Sequence, residues 1–99
     1  MAGYVAAKHG VIGLTRAAWL EYAKRGVRVN AIITGNGDTP LYRSLLGVSP
    51  DADLPPAPNP TGRTAQPAKV AAFVAFLLSD EARFITAAAL PIDGGATAT

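Results

Sequence analysis

Residues 26–35 read GVRVNAIITG, a short run rich in β-branched side chains that lies between two glycines. β-Branched side chains favour strands, and a run this short is typical of a buried strand rather than a helix. Gly26 suits the left-handed position that ends a helix, and the basic residues Lys24 and Arg25 before it suit a helix C-terminus. We therefore predict a strand over residues 27–33, entered directly from a helix.

The segment before this strand has the pattern of a long amphipathic helix, which we place at residues 4–25. Its apolar residues recur at spacings of three, four and seven: Val5, Val11, Ile12, Leu14, Ala18, Trp19 and Tyr22. Gly10 and Gly13 interrupt the pattern, and each glycine weakens a helix interior by roughly 1 kcal/mol relative to alanine. We therefore expect another part of the structure to approach the helix backbone closely at these two glycines.

Three segments follow the strand. The run TGNGDTP at residues 34–40 consists almost wholly of turn formers and begins a loop over residues 34–62. Its Thr-Pro pair suits the N-cap and the first position of a short helix inside the loop. Apolar residues at helical spacing predict a further helix over residues 67–79, and a short apolar run predicts a strand over residues 88–92.

This order of helix, strand, loop, helix and strand indicates an α/β fold. Two strands joined by a long connection that contains a helix imply a right-handed parallel crossover, the repeating unit of α/β sheets. Parallel sheets are normally buried on both faces and contain more than one crossover. Residues 1–99 are therefore expected to form a single partial domain of a larger sheet.

Composition excludes several classes of protein. With 49% hydrophobic and 16% charged residues, the chain has the composition of a soluble globular domain. Its net charge is only +2 and its basic residues are scattered, so we expect no nucleic-acid partner. The absence of cysteine and the single histidine leave no metal cluster. Because no secretory signal is evident and the longest apolar run, residues 70–78, falls short of the ~20 residues that span a bilayer, we expect a cytoplasmic protein with no membrane partner.

The strongest candidate for chemistry is the pair formed by Tyr4 and Lys8. Residues four apart on a helix share one face, so the two side chains can approach each other. A phenol titrates near pH ~10, and a neighbouring ammonium stabilises its ionised form, which assists proton exchange at neutral pH. Taken alone, the spacing is also what an amphipathic tyrosine beside a solvated lysine would give.

The surrounding residues resemble the short-chain dehydrogenase/reductase family. In that family a YxxxK motif opens a helix and a G-[IV]-R-V-N segment begins the next strand, and this chain has both, at residues 4–8 and 26–30. The resemblance continues through Gly62-Arg63, Gln66-Pro67, the helix VAAFVAFLLSDEA and the closing segment ITAAALPIDGG. It implies a C-terminal fragment of a Rossmann-like doubly wound parallel sheet.

The resemblance also implies an activity. A member of this family is an oxidoreductase that uses NAD or NADP to interconvert a small-molecule alcohol and a carbonyl. Tyr4 would be the general acid/base, and Lys8 would stabilise the tyrosinate and hold the ribose hydroxyls of the nicotinamide nucleotide. The apolar side chains of residues 41–60 would cover the substrate, which favours a neutral or partly hydrophobic compound.

The loop after the first strand resembles the family's PGxIxT segment, which contacts the nicotinamide end of the coenzyme. Gly35 and Thr39 match this segment, whereas Thr34 stands in place of the proline and Gly37 in place of the aliphatic residue. Ligands of open parallel sheets bind beyond the carboxyl ends of the strands, where this loop is expected to lie. We therefore expect these four residues to bind the coenzyme together with Tyr4 and Lys8.

Two parts of the family's active site have no counterpart in these residues: the glycine-rich turn that holds the pyrophosphate and the catalytic serine upstream of the tyrosine. The isolated 99-residue chain is therefore expected to be inactive. The resemblance further implies a homo-oligomer. Two other interpretations remain open, a non-catalytic oligomerisation or binding module and a truncated fragment with no activity of its own.

Overall fold

The computed structural model describes residues 1–98 and contains three α-helices and two strands within that range. The elements are α1 (Ala2–Tyr22), β1 (Ala31–Thr34), α2 (Pro40–Leu46), α3 (Pro67–Leu78) and β2 (Ala89–Ile92). Short 3₁₀ turns follow α1 at Ala23–Arg25, α3 at Asp80–Ala82 and β2 at Ala96–Ala98. The described residues thus have the predicted order of helix, strand, loop, helix and strand.

The two strands pair side by side in one sheet. The amide of Ala31 donates to the carbonyl of Ala88 (2.9 Å), and the amide of Gly35 donates to that of Ile92 (3.0 Å). The two bonds advance equally along both strands, which identifies the pairing as parallel. The predicted α/β fold with a parallel crossover is confirmed.

The first strand is shorter than the predicted residues 27–33, because β1 begins only at Ala31. Before that point, one backbone hydrogen bond, from the amide of Ala87 to the carbonyl of Val29 (2.8 Å), is supplemented by side-chain bonds. The Asn30 side chain donates to the carbonyl of Ile85 (2.9 Å) and accepts from the amide of Ala88 (3.2 Å). Ala87 also has a left-handed backbone (φ 59°), which is incompatible with a regular strand opposite the first residues of the run.

The contacts divide the chain into two compact units. The first comprises Met1–Ile32 and Leu77–Leu90, and the second comprises Ile33–Phe76 and the residues from Pro91 onward. In the first unit, the guanidinium of Arg28 donates to three carbonyls around the end of α3: Leu77 at 2.6 Å, Ile85 at 3.1 Å and Ser79 at 3.4 Å. The bond to Leu77 satisfies a carbonyl that the C-terminus of α3 leaves without an intrahelical partner.

Few residues are buried. The buried apolar residues of residues 1–98 are Ala31, Ala57, Leu77 and Ala82, and none of the large side chains in that range is fully buried. The expected close approach at Gly10 and Gly13 is absent within the described chain, since no atom lies within 4 Å of a Cβ placed on either glycine. Leu14, on the same helix, is 70% exposed. Most of the surface of α1 is therefore left uncovered by residues 1–98.

Candidate active site

Tyr4 and Lys8 lie in the first two turns of α1, in the first unit. The Lys8 Nζ lies over the Tyr4 ring, 5.4 Å from its centroid, so the structure brings the two side chains together as the spacing predicts. A cation over a ring face at this distance is attracted by the π-electrons. Tyr4 is 60% exposed.

The neighbouring His9 is held by its own helix. Its Nδ1 donates to the carbonyl of Val5 at 2.9 Å, an i, i−4 contact along α1. One position of a helix turns a side chain by about 100°, so consecutive residues do not share a face. The chemical groups that this part of α1 presents together are therefore the phenol of Tyr4 and the ammonium of Lys8.

Gly35 and Gly37 lie in the second unit and differ in why they are glycine. A Cβ on Gly35 would lie 2.8 Å from the Cα of Asp93, closer than two such atoms approach, so the position accepts no side chain without a backbone shift. A Cβ on Gly37 would meet only the carbonyl oxygen of Ala65, at 3.7 Å, and the methyl group of Thr39, at 3.8 Å. The loop thus has room for the side chain that Gly37 lacks.

Thr39 caps the short helix that follows the loop. Its Oγ1 accepts from the amide of Tyr42 (3.2 Å), and Pro40 occupies the first position of α2, as the Thr-Pro pair predicts. Because the oxygen accepts this bond, the hydroxyl proton remains available as a donor to a ligand. Thr34, at the end of β1, is exposed.

Backbone hydrogen bonds fix the loop between these residues. The amide of Asp38 donates to the carbonyl of Ala65 (2.8 Å), and the amide of Ala65 donates to the carbonyl of Asn36 (2.9 Å). Together these two bonds form a parallel bridge between Gly37 and Ala65. The chain therefore returns to the loop of residues 34–40 just before α3 begins.

Asp38 and Arg43 form an ion pair that the sequence analysis did not identify. The Arg43 Nε lies 2.6 Å from Oδ1 of Asp38 and its Nη2 lies 3.0 Å from Oδ2, so the contact is bidentate. The hydrogen bond from Arg43 holds the pKa of the Asp38 carboxyl below its usual range, and the nearby Gln66 side chain lowers that pKa further. The sequence feature that indicates this pair is an aspartate directly before the Thr-Pro start of a helix, followed by an arginine about one turn into that helix.

Asp93, just after β2, stabilises a turn. Its carboxylate accepts from the amide of Gly95 (2.9 Å) and from both the amide (3.0 Å) and the hydroxyl (2.7 Å) of Thr97. The Thr97 hydroxyl, followed by these backbone amides, holds the pKa of the Asp93 carboxyl below its usual range. Both aspartates are thus engaged in local structure.

Metal ligation and membrane insertion find no support in the described part of the chain. Residues 1–98 contain no group of three or more His, Asp or Glu side chains that could hold a metal ion. None of the helices within these residues is both long enough and apolar enough to cross a bilayer.

The parallel pairing of two strands around a helical crossover places the chain among α/β folds, and comparison with known families identifies which one. The family model described as Enoyl-(Acyl carrier protein) reductase matches residues 1–97. The chain belongs to the short-chain dehydrogenase/reductase family.

Curated relatives of known activity match almost the whole chain. The cyclohexanol dehydrogenase of Acinetobacter sp. (strain SE19) is 47% identical over 97 residues, which cover 98% of this chain and 37% of that enzyme. The levodione reductase of Leifsonia aquatica is 44% identical and matches 97% of this chain and 38% of its own length. The chain therefore spans well under half the length of these relatives.

Solved structures show the same fold. A crystal structure of levodione reductase superimposes with a TM-score of 0.84 at 43% identity, over 98% of this chain and 40% of that one. A 4-hydroxyisoleucine dehydrogenase complexed with NADH superimposes with a TM-score of 0.75 at 36% identity, over 99% of this chain and 39% of that one. The resemblance to a Rossmann-like sheet seen in the sequence is confirmed.

Proposed function

We propose that these residues supply the proton-transfer pair and the nicotinamide loop of an NAD(P)-dependent oxidoreductase that interconverts an alcohol and a carbonyl. The observation that carries the proposal is the geometry of Tyr4 and Lys8, whose ammonium lies 5.4 Å from the phenol ring on an exposed helix face. The relatives are named as dehydrogenases and reductases, which supports a role for this pair in the interconversion of alcohols and carbonyls.

In this proposal a bound nicotinamide coenzyme would supply the hydride for reduction of the carbonyl and would accept it in oxidation of the alcohol. The Tyr4 hydroxyl gives its proton to the carbonyl oxygen during reduction and takes a proton from the alcohol during oxidation. The Lys8 ammonium stabilises the phenolate between these steps and donates to the ribose hydroxyls of the coenzyme. Lys8 thereby contributes both to catalysis and to coenzyme binding.

The loop of residues 34–39, which we propose as the coenzyme loop, has a hydrogen-bond donor that suits this assignment. The Thr39 hydroxyl has a proton left to donate to the nicotinamide carboxamide, because its oxygen already accepts from Tyr42. The Gly35 amide, in contrast, already donates to the Ile92 carbonyl at 3.0 Å. Gly35 therefore contributes to the proposed site by lacking a side chain. Thr34 and Gly37 border these two residues and complete the proposed nicotinamide contact.

The proposed substrate is a six-membered alicyclic alcohol or its ketone. Three relatives are named for such rings: the cyclohexanol dehydrogenase, a 2,5-dichloro-2,5-cyclohexadiene-1,4-diol dehydrogenase and a cis-4-hydroxycyclohexanecarboxylate dehydrogenase. The short helix α2 presents the apolar side chains Leu41 and Leu45, 71% and 76% exposed, which suit the cover of a ring of this kind.

A chimera tests the proposal, with residues 1–97 replacing the matching 97 residues of the Acinetobacter cyclohexanol dehydrogenase. The recipient supplies the remaining parts of the sheet and the pyrophosphate site. We expect the chimera to oxidise cyclohexanol with the coenzyme that the recipient uses, since the recipient supplies the pyrophosphate site. A chimera that folds and binds coenzyme but turns over no alicyclic alcohol or ketone would reject the proposal.

A second candidate function is that of a non-catalytic oligomerisation module, favoured by the exposed apolar side chains of α1. Leu14 and Leu20 are 70% and 73% exposed, and such side chains seek a partner surface. In such a module, α1 would contact another subunit of a homo-oligomer, and Tyr4 would take no part in a reaction. Full activity of a Tyr4→Phe chimera would favour this candidate.

A further inference from the structure

The Arg43 side chain, within α2, binds both the residue before this helix and the turn after it. Towards the coenzyme loop, the Arg43 guanidinium binds both carboxylate oxygens of Asp38, at 2.6 and 3.0 Å. Towards the following turn, its Nη1 donates to the carbonyls of Ser49 (2.9 Å) and Ala52 (2.7 Å). One guanidinium therefore links the residue before α2 to the segment after it.

The position of this pair sets it apart from an ordinary surface ion pair. The side chains of Asp38 and Arg43 are only 19% and 18% exposed, so water competes for their contact less than at a fully exposed pair. A bidentate arginine–carboxylate pair also fixes the relative orientation of its two groups. The Asp38 backbone is itself anchored, because its amide donates to the carbonyl of Ala65 at 2.8 Å.

We propose that Asp38 and Arg43 form a clasp that holds α2 and residues 48–52 in a fixed position against the coenzyme loop, which makes Arg43 a positioning residue for the substrate. The inference rests on the proposed function in one respect, namely that α2 covers a substrate. The contact itself depends only on the geometry of these side chains.

The clasp acts on binding rather than on proton transfer. Thr39, which is proposed to hold the nicotinamide, lies between Asp38 and the first turn of α2, and Leu41 and Leu45 lie on the same helix. Releasing Arg43 frees this helix and the turn after it, so the substrate cover loses its fixed position. Tyr4 and Lys8 lie on α1, outside the clasped segment. The expected signature is a raised KM with kcat largely retained.

Arg43→Gln and Asp38→Asn in the cyclohexanol dehydrogenase chimera test the clasp, with Arg63→Gln as the matched control. Arg63 is an exposed arginine of the same segment whose side chain makes no hydrogen bond or ion pair within residues 1–98. The local readout is amide hydrogen exchange at Val48 and Ala52, whose amides donate to the carbonyls of Arg43 and Ser49. The functional readout is steady-state turnover of cyclohexanol.

We expect Arg43→Gln to speed exchange at Val48 and Ala52 about tenfold or more while exchange in α1 stays unchanged. KM for cyclohexanol should rise about tenfold with kcat within about twofold, and the control should change neither. Asp38→Asn should act in the same direction. The double variant should be no worse than Arg43→Gln, because both substitutions remove one shared contact.

Three outcomes would overturn the clasp. Unchanged exchange at Val48 and Ala52 would show that the contact does not restrain the turn. Faster exchange throughout the chain would show a general folding contact. Faster local exchange with unchanged KM would show that the turn does not position substrate. If the unsubstituted chimera folds and binds coenzyme but turns over no alicyclic alcohol or ketone, the proposed function fails, and exchange at Val48 and Ala52 alone decides whether the clasp restrains the turn. Levodione reductase, which matches 98% of the chain, is the second recipient if the first chimera does not fold.

Discussion

Gly35 and Asp93 lie backbone against backbone just beyond the ends of the two paired strands. A Cβ on Gly35 would lie 2.8 Å from the Cα of Asp93 and 3.2 Å from its carbonyl oxygen. Backbone atoms cannot turn aside as the end of a flexible side chain can. The glycine at this position of the coenzyme loop is therefore a requirement of close packing.

Replacing the two loop glycines should have opposite effects. Gly35→Ala should destabilise the chimera by about 2 kcal/mol, because the added methyl group forces the strand ends apart. Gly37→Ala should be neutral or stabilise it by about 0.4–1 kcal/mol, because the site has room and alanine restricts the unfolded chain. Urea unfolding of both variants measures the difference. Equal destabilisation by the two substitutions would contradict the crowding at Gly35.

Removing Arg28 should loosen the end of α3. Arg28→Ala removes the guanidinium donor from three carbonyls, among them that of Leu77 at 2.6 Å, whereas the Ile85 carbonyl keeps its bond from the Asn30 side chain. We expect a loss of about 2 kcal/mol in the free energy of unfolding, since each bond from a charged donor contributes more than a neutral one. Arg16→Ala, at an exposed position of α1, is the control and should cost less than about 0.5 kcal/mol. Similar losses in both variants would mean that the Arg28 bonds add nothing.

Acid should weaken the turn that Asp93 stabilises. Because hydrogen bonds from Thr97 and Gly95 lower the pKa of Asp93 below its ordinary value of 3.8, the folded state favours the carboxylate. This contribution is fully present above about pH 4 and is lost as the pH falls through the lowered pKa. The free energy of unfolding between pH 6 and pH 3 should therefore fall less in Asp93→Asn than in the parent. Glu81→Gln, at an exposed position, is the control, and an identical pH dependence in all three proteins would refute the linkage.

Tyr4 and Lys8 should separate in kinetics. Tyr4→Phe in the chimera should lower kcat about 10²-fold or more and leave coenzyme affinity within about twofold, because only the proton-transfer oxygen is removed. Lys8→Ala should weaken both turnover and coenzyme binding. His9→Gln is the control, since the His9 ring bonds to its own helix. Unchanged turnover in both variants would return the pair to an amphipathic tyrosine and a solvated lysine.

The isolated chain should self-associate. Its helix α1 exposes Val11, Leu14 and Leu20 at 53%, 70% and 73%, and exposed apolar side chains of this size seek a partner surface. Light scattering should give an apparent mass well above 10.1 kDa. Leu14→Glu with Leu20→Glu should lower that mass. A monodisperse monomer with a cooperative thermal transition would show instead that these residues are self-sufficient.

Local pattern predicted much of the fold. Helical periodicity indicated α1 and α3, whose apolar residues recur on one face whatever lies opposite them. The Thr-Pro pair indicated the start of α2, because an N-cap and a first-turn proline act within a few residues. The parallel pairing followed from a strand, a helix and a strand in that order. In each case the determining interaction is short in sequence or fixed by chain connectivity.

Contacts between residues far apart in the chain could not be predicted from the sequence. The start of β1 depends on the Asn30 side chain bonding to Ile85 and Ala88, more than fifty positions away, so no local pattern reveals it. The ion pair of Asp38 and Arg43 depends on the angle at which α2 leaves the loop. The close approach expected at Gly10 and Gly13 is made by none of residues 1–98, so it stays a prediction.

The bridge between Gly37 and Ala65 bears on how a protein of this kind acquires new specificity. Residues 38–64 leave and rejoin the fold at one point, where two backbone hydrogen bonds close the segment at its base. Once a loop is closed in this way, doubling its length costs only about 0.6 kcal/mol of further entropy. Evolution or design can therefore lengthen the part of this insert that precedes the buried Ala57, while residues 59–61 keep their packing against Gly94 and Gly95.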